Sequence, residues 1–277
     1  MYGFGRCAMG VYNCGGTVAD CEISGNGRPG GENMDLQDAG GLYQTAGVTC
    51  ICTIRANLSC CQNSVSDRLT AAGAKVTGGF LLNCAIMANT NSSPKDTSAA
   101  AGLVVNGTAA VVRNCLVAGN VYDSTQAGAA AVRMNAGTMD NVTVCDNDIQ
   151  TEGATCAGLR LTGGAVCNTV VWGNLPAAGA DVVRTAGTMT YCCYPEAAEG
   201  VDGNTAGDPM FRGGAKRGKG IISSRGSCFR TGSVLGWMDG ATDLLGNPRT
   251  TLVGDEPKVN IGCYQVGFDR GLMLLVK

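Results

Sequence analysis

An asparagine that returns every 27 to 32 residues is the feature that most constrains how this chain folds. Successive asparagines are 31, 32, 31, 27 and 27 residues apart, and each closes a segment with short apolar alternations and a glycine-containing turn. Self-similarity at a period of 20–50 residues is typical of solenoids and other repeat folds. The asparagines are Asn26, Asn57, Asn89, Asn120, Asn147 and Asn174.

Two apolar columns accompany the asparagines, three and five residues before each of them. Positions two apart on a β-strand point to the same side, so both columns predict one inward face. No window carries a sustained 3.6-residue apolar stripe, which argues against helices as the repeat unit. The first column is Ile23, Ile54, Ile86, Val117, Val144 and Val171, and the second is Cys21, Cys52, Cys84, Cys115, Val142 and Thr169.

These patterns predict an all-β chain that forms a right-handed parallel β-helix, or solenoid, with coils of about 27–32 residues and an irregular C-terminal cap. One coil cannot bury its own inward face, whereas stacked coils bury a continuous column. A leucine-rich repeat is the main alternative at this period, but it needs a leucine ladder and an outer helix. We assign residues 1–206 to the coils and 207–277 to a capping segment of the same domain.

The recurring asparagine is predicted to be structural rather than ligand-binding. At a coil corner Asn tolerates the left-handed conformation, and amides stacked in register bond to one another along the axis. Two polar loops, at 26–40 and 89–98, follow a marked asparagine and therefore leave the same corner. Loops grouped at one corner of a repeat protein commonly build its binding face.

Composition excludes several classes of function. The net charge of −2 and the 15% of charged residues argue against a nucleic-acid partner, which needs a basic field. No apolar run approaches the 18 residues of a membrane-spanning helix. The chain has no histidine, which removes His-based triads and most zinc chemistry.

The 16 cysteines do not have the spacing of a zinc site. Four of them lie in the inward column, where free Cys behaves as a small apolar group. Stacked coils bring neighbouring α-carbons within disulfide range, but parallel side-chain directions suit the bond poorly, so the disulfide state is left open. The adjacent Cys192 and Cys193 are expected to point to opposite faces of a strand.

The start of the chain already carries the strand alternation. No charged region followed by an apolar stretch precedes it, so no signal peptide is predicted within this chain. Because solenoids need capped ends for solubility, we favour a piece of a longer secreted protein. The alternative is an open first coil that docks on another copy and leads to end-to-end self-association.

The C-terminal part contains three short motifs, at 207–211 (GDPMF), 243–249 (DLLGNPR) and 260–265 (NIGCYQ). They resemble the end of a family of bacterial secreted β-helix repeat proteins with D-P-x-F, D-x-x-G-x-x-R and D-I-G-A-Y-E motifs. The chain also resembles polymorphic outer-membrane-protein repeats and, more loosely, the pectate-lyase superfamily. The resemblance implies an extracellular or cell-surface location. Asn260 replaces the family Asp, Cys263 the Ala and Gln265 the Glu, which removes two carboxylates near Arg249.

Large aromatic side chains are concentrated in this C-terminal part. Phe211, Phe229, Trp237 and Tyr264 are expected to cover the exposed end of the apolar column, where open strand edges invite aggregation.

The candidate ligand-binding residues are three arginines, Arg133, Arg160 and Arg184, predicted to face outward on successive coils. Arginine suits bidentate recognition of carboxylates, so the ladder is a candidate site for an acidic polysaccharide. In enzymes of the pectate-lyase type, calcium and an Arg base remove the proton beside a uronate carboxylate, a role that would fall to Arg133 or Arg160. Candidate oxygen ligands for calcium are Asp140, Asp146 and Asp148.

No paired acid and base recurs at one level of the repeat, so a convergent catalytic constellation is not predicted. The sequence therefore favours a non-catalytic extracellular or cell-surface module, adhesin-like, that presents loops to a glycan or a protein. One alternative is a lyase or hydrolase of an acidic polysaccharide, with calcium as the one candidate cofactor. The other is a self-stacking structural subunit of a fibre.

Overall fold

A computed structural model describes residues 7–27, 37–60, 69–93, 99–125, 130–176, 178–212 and 220–267. The described chain is a parallel β-solenoid, which confirms the predicted fold class. The strands are β1 (Cys7–Ala8), β2 (Val11–Ala19), β3 (Glu22–Ser24), β4 (Gln37–Ala39), β5 (Leu42–Cys50), β6 (Thr53–Arg55), β7 (Leu58–Ser59), β8 (Ala74–Leu82), β9 (Ala85–Met87), β10 (Thr90–Asn91), β11 (Ala100–Arg113), β12 (Leu116–Ala118), β13 (Val121–Tyr122), β14 (Ala130–Met134), β15 (Thr138–Asp140), β16 (Thr143–Cys145), β17 (Asp148–Ile149), β18 (Cys156–Leu161), β19 (Ala165–Cys167), β20 (Val170–Trp172), β21 (Ala180–Arg184), β22 (Thr188–Thr190), β23 (Thr251–Val253) and β24 (Glu256–Lys258).

Each coil contributes strands to three parallel sheets. The first face has the order β2-β5-β8-β11-β14-β18-β21 and continues around a bend through β15, β19 and β22. The second face has the order β3-β6-β9-β12-β16-β20, and a short corner sheet has the order β7-β10-β13-β17. Consecutive members of each sheet are one coil apart in sequence, so each interior strand pairs with its counterparts in the coils above and below.

The predicted inward column of Ile and Val lies in register down the second face. Ile23 pairs with Ile54, Ile54 with Ile86, and the register continues through Val117 and Val144 to Val171. All six are at most 4% exposed. Burying one such side chain stabilises the fold by roughly 1.5–3 kcal/mol, so this column is a major part of the core.

The cysteine column is also inward, with one exception. Cys52, Cys84 and Cys115 are buried in the core, whereas Cys21 is exposed because it lies in the first coil of the described stack. Cys192 extends the column by one coil, and the adjacent Cys193 lies in a separate cluster outside it. This arrangement confirms the expected opposite orientation of that pair. From Cys14 onward, the cysteines of the described residues are free thiols.

The residue before each member of the cysteine column adopts a left-handed backbone conformation, with φ near +50°. This turn joins the first face to the second in every coil. Asn and Asp tolerate such a conformation better than other residues with a Cβ, which explains why most coils have one of them there. The turn residues are Asp20, Ile51, Asn83, Asn114, Asn141, Asn168 and Tyr191.

The C-terminal segment lies along the flank of the solenoid rather than over its end, which corrects the expectation for the aromatic residues. Phe211 and Tyr264 pack against the outer side of the second face, where Leu116 is a main contact. Trp237 stacks on Arg113 at 4.7 Å, and Phe229 contacts a neighbouring guanidinium. The outer side of this face is apolar in the later coils, so it requires a cover.

Side-chain amides of the turn asparagines hold this segment in place. Asn83 donates to the carbonyl of Asp243 at 2.7 Å, and Asn168 donates to the carbonyl of Ser233 at 2.8 Å. Asn114 and Asn141 likewise donate to main-chain carbonyls of the segment, at 2.9 and 3.1 Å. The turn residues therefore recognise the main chain of the C-terminal segment.

Arg249, from the second C-terminal motif, is fully buried within this segment. Its Nη2 donates to the carbonyls of Asn260 and Gly262 at 2.5 and 2.9 Å. Burial lowers the pKa of its guanidinium to about 10. None of the ion pairs in the described part of the chain involves Arg249.

Two 3-10 turns, Val201–Gly203 and Gly236–Met238, are the helical segments of the residues that the structure describes. Within the described residues, none of the helical segments has the length and apolar character required to cross a membrane.

Candidate functional site

Arg133 and Arg160 lie side by side on the outside of the first face. They pair directly across β14 and β18, which places them one strand spacing, about 4.8 Å, apart along the solenoid axis. Their strand neighbours Val132, Met134 and Leu159 point inward and are fully buried. The V-R-M and L-R-L patterns therefore direct both guanidinium groups outward, where each side chain is half-buried.

The guanidinium of Arg160 has one hydrogen bond to a described side chain, from Nη2 to the Thr155 hydroxyl at 2.9 Å. Its Nε is buried and has no hydrogen-bond partner within the described residues. Arginine carries five N–H donors in a fixed fork, so this side chain retains donors for an acceptor from outside. Its positive charge also opposes the effect of burial on Cys156, whose thiol pKa is raised to about 11.

Arg184 does not extend the arginine pair. The register of β18 and β21 pairs Val183 with Arg160 and Arg184 with Leu161, so Arg184 is one position off the predicted ladder. The reason is that Val182 stacks on Leu159 as the inward residue of the coil. The arginine ladder therefore has two members on the first face, and Arg184 is exposed beside it.

Two coils before Arg133, the equivalent outward position is occupied by Lys75. Lys75 is almost fully buried and forms an ion pair with Asp38 at 2.6 Å, with its ammonium 5.6 Å from the Tyr43 ring. Removing one member of a buried ion pair leaves an uncompensated charge, so this pair fixes the local structure rather than offering a site. The accessible cationic part of the column is thus at Arg133 and Arg160.

The three predicted calcium ligands lie on separate parts of one coil. Asp140 on β15 forms an ion pair with Arg113 at 3.2 Å, and burial raises the pKa of its carboxyl against the lowering effect of that arginine. Asp146 lies at the corner with φ of 55°, and Asp148 on β17 accepts from Gln150 at 2.9 Å. Within the described residues, no three acidic or thiol side chains converge as metal ligands.

The asparagine column forms a continuous ladder of amide hydrogen bonds. Each Nδ2 donates to the Oδ1 of the next asparagine at 2.8–2.9 Å, from Asn26 through to Asn174. Because neighbouring coils use these amides, the column has the predicted structural arrangement. The ladder ends at Asp181, which accepts from Asn174 Nδ2 at 2.6 Å. Sequence analysis missed this residue, although an acidic side chain beside an apolar strand was a signal for it.

An open cavity of about 410 Å³ lies on the C-terminal segment. Its walls include Asp208, Phe211, Arg212, Ser223 and Arg225, so the D-P-x-F motif forms part of it. Small-molecule sites have volumes of roughly 300–1,000 Å³. This cavity does not include the arginine pair, which lies on the first face.

No family model, curated protein or solved structure matches this chain. The fold assignment therefore rests on the strand pairing, and membership of a particular β-helix family stays a prediction from the C-terminal motifs.

Proposed function

We propose that this chain is a non-catalytic extracellular or cell-surface module that binds an acidic polysaccharide through Arg133 and Arg160. The observation that supports it is the direct pairing of these two residues on adjacent parallel strands, with both side chains facing outward. An acidic polysaccharide carries carboxylates at regular intervals along its chain. The arginines repeat along the solenoid axis at the strand spacing, so a bound chain can place one carboxylate at each guanidinium.

The partial burial of the arginine stems strengthens this interaction. A planar guanidinium binds a carboxylate through two parallel hydrogen bonds, and a partly desolvated pair is screened less than a fully exposed one. Arg160 already has its Nη2 oriented by Thr155. A pre-oriented side chain loses less conformational freedom on binding, which favours affinity.

Binding is preferred to catalysis because the carboxylates that a lyase or hydrolase would use lie elsewhere on the coil. Asp140 is engaged by Arg113, and Asp148 accepts from Gln150. A guanidinium also holds its proton strongly, which makes arginine a poor general base in water.

The test is a binding titration with polygalacturonate, with neutral dextran as the comparison polymer. We expect binding to polygalacturonate only, weakening as salt rises. Arg133→Gln and Arg160→Gln should each weaken it roughly three- to tenfold, as expected for the loss of one hydrogen bond with a typical net contribution of about 0.5–1.5 kcal/mol. Arg55→Gln, which alters an exposed arginine paired with Glu22 on the second face, is the matched control and should bind normally.

Two results would contradict the proposal. One is equal binding of the neutral polymer, and the other is full affinity in the Arg133→Gln/Arg160→Gln double variant. Absorbance of an unsaturated sugar product in the same samples would instead support the lyase alternative, provided that Arg160→Gln abolishes it.

An end-to-end fibre is disfavoured because the hydrogen-bonding groups at the C-terminal end of the asparagine ladder already have partners. Asp181 already accepts the amide of Asn174, and its own backbone N–H donates to the Glu196 carboxylate at 2.8 Å. A second copy stacked at this end would have to displace both contacts. Light scattering should therefore give a molecular mass that does not grow with concentration into long polymers.

A further inference from the structure

Two buried thiols meet where the C-terminal segment packs against the last coil. Cys193 follows Val170 on the outer side of the second face, to which it is bridged in parallel. Cys228 belongs to the C-terminal segment. Both are fully buried in one apolar cluster with Val170, Ile222 and Ile261.

The Ser227 hydroxyl contacts the sulfurs of both cysteines. Its Oγ lies 3.7 Å from the Sγ of Cys193 and 3.9 Å from the Sγ of Cys228. Burial and a hydrogen-bond contact with the Cys193 thiol hold the pKa of the Cys228 thiol well above its ordinary value. The two thiols are thus neighbours in a space closed to water.

We propose that Cys193 and Cys228 form a disulfide that ties the C-terminal segment to the last coil. The reaction breaks two S–H bonds and forms one S–S bond. Two electrons and two protons pass to a disulfide oxidant such as oxidised glutathione, which is released as two thiols. The route is thiolate attack on the oxidant, followed by displacement from the mixed disulfide by the second cysteine.

The geometry distinguishes this pair from the stacked cysteines of the core. Cys84 and Cys115 occupy equivalent positions on adjacent coils, so their side chains point the same way and their β-carbons are about one strand spacing apart, near 4.8 Å. A disulfide needs β-carbons about 3.8 Å apart. Cys193 and Cys228 come instead from two segments packed against each other, and their side chains meet in the cluster between these segments.

The polar groups around the pair are satisfied after oxidation as well. The Cys193 thiol donates to the carbonyl of Gly207 at 3.2 Å, and this donor is lost when the disulfide forms. The Ser227 hydroxyl donates to the same carbonyl at 2.6 Å. The Gly207 carbonyl therefore keeps a partner, and oxidation leaves no buried acceptor without a hydrogen bond.

The test is to refold the full chain in a glutathione redox buffer, alkylate the remaining thiols and map the peptides by mass spectrometry. Refolding is needed because both thiols are buried in the folded chain. We expect a Cys193–Cys228 peptide as the main linked species. Closing this loop should also raise Tm by roughly 5–15 °C relative to the chain treated with a reductant.

Variants separate this bond from other cysteine chemistry. Cys228→Ala should abolish the difference in Tm between the oxidised and the reductant-treated chain. Cys84→Ala, which alters a buried cysteine of the core column, should retain this difference. Cys192→Val removes the thiol next to Cys193, and the peptide that contains Cys193 should still be linked to the peptide that contains Cys228. Alkylation of both Cys193 and Cys228 after oxidative refolding would overturn the proposal, as would a linked peptide that joins either of them mainly to another cysteine. The mapping uses the unaltered chain, so it decides the question even where a variant fails to fold.

Discussion

Asn174 and Asp181 are joined by a side-chain hydrogen bond of 2.6 Å, and this bond ends the asparagine ladder. The same carboxylate accepts the backbone N–H groups of Gly173 and Asn174 at 2.9 and 3.1 Å. The side-chain amides that precede it donate in one direction along the axis, so the last amide needs an acceptor. Asp181 supplies a charged one, and charge-assisted hydrogen bonds are about twice as strong as neutral ones.

Replacing Asp181 should therefore destabilise the last coils. Asp181→Ala removes the shared acceptor of three donors, two of which belong to the buried Asn174, and we expect the free energy of unfolding to fall by about 2–4 kcal/mol. Asp181→Asn keeps one oxygen and should cost less. Chemical denaturation measures both, with Glu152→Ala, an exposed acidic residue, as the control within about 0.5 kcal/mol of the parent. Equal effects of Asp181→Ala and Glu152→Ala would show that the ladder does not depend on this carboxylate.

The ladder should also be more sensitive in its interior than at its start. Asn89 is fully buried, accepts from Asn57 and donates to both Asn120 and the Ile54 carbonyl. Its oxygen also accepts the backbone N–H of Asn57, so Asn89→Ala removes four hydrogen bonds and should cost about 2–4 kcal/mol of unfolding free energy.

The matched control is Asn26→Ala at the first rung of the ladder. Among the described residues, the Asn26 side chain donates only to Asn57, and the Asn57 oxygen would retain the backbone N–H of residue 26. We expect a cost of about 0.5–1 kcal/mol there. Denaturation curves that give the two substitutions the same cost would contradict the ladder as a stabilising unit.

The sequence was sufficient to predict the inward columns because strand side chains alternate with a period of two. Ile54 and Val144 are examples, since each is flanked by residues that point the other way. Arg184 was misplaced for the opposite reason. Val182 and Val183 are both apolar, so the alternation alone did not decide which of them points inward, and the pairing with Leu159 did.

The packing of the C-terminal segment was beyond sequence analysis. Asn83 and Asp243 are 160 residues apart, and Asn168 and Ser233 are 65 apart, so no local pattern connects them. The segment also has no period of its own. The arginine pair was predictable because both members belong to the repeat. The Arg113–Asp140 ion pair joins adjacent coils through residue types that do not recur at the equivalent position of the next coil.

Ile51 is the turn residue least suited to its backbone conformation. It has a φ of 54° and is 64% exposed, in a position that the next four coils fill with asparagine. A β-branched residue in the left-handed region costs roughly 1–2 kcal/mol. Ile51→Asn should therefore raise the free energy of unfolding by about 1 kcal/mol and Tm by about 2–4 °C. Ile51→Val, which keeps the β-branch, is the control and should show no gain in a thermal melt.

The pH dependence of stability should carry a contribution from Asp140. Burial raises the pKa of its carboxyl above the ordinary value, in opposition to Arg113, so the folded chain binds this proton more tightly than the unfolded chain does. The stability that the folded chain gains by binding this proton is therefore fully present below the pKa of the unfolded chain, about 3.9. It is lost as pH rises through the pKa of the folded chain.

Asp140→Asn removes this titration while keeping the shape of the side chain. The difference in unfolding free energy between the parent and Asp140→Asn should thus shift against the parent as pH rises from about 4 to 7. Denaturation at several pH values measures it, with Thr188→Ala on β22 as a control whose difference from the parent should not vary with pH. A difference that shifts in favour of the parent over this range would mean that the Arg113 ion pair outweighs burial, because the folded-state pKa would then lie below the unfolded value.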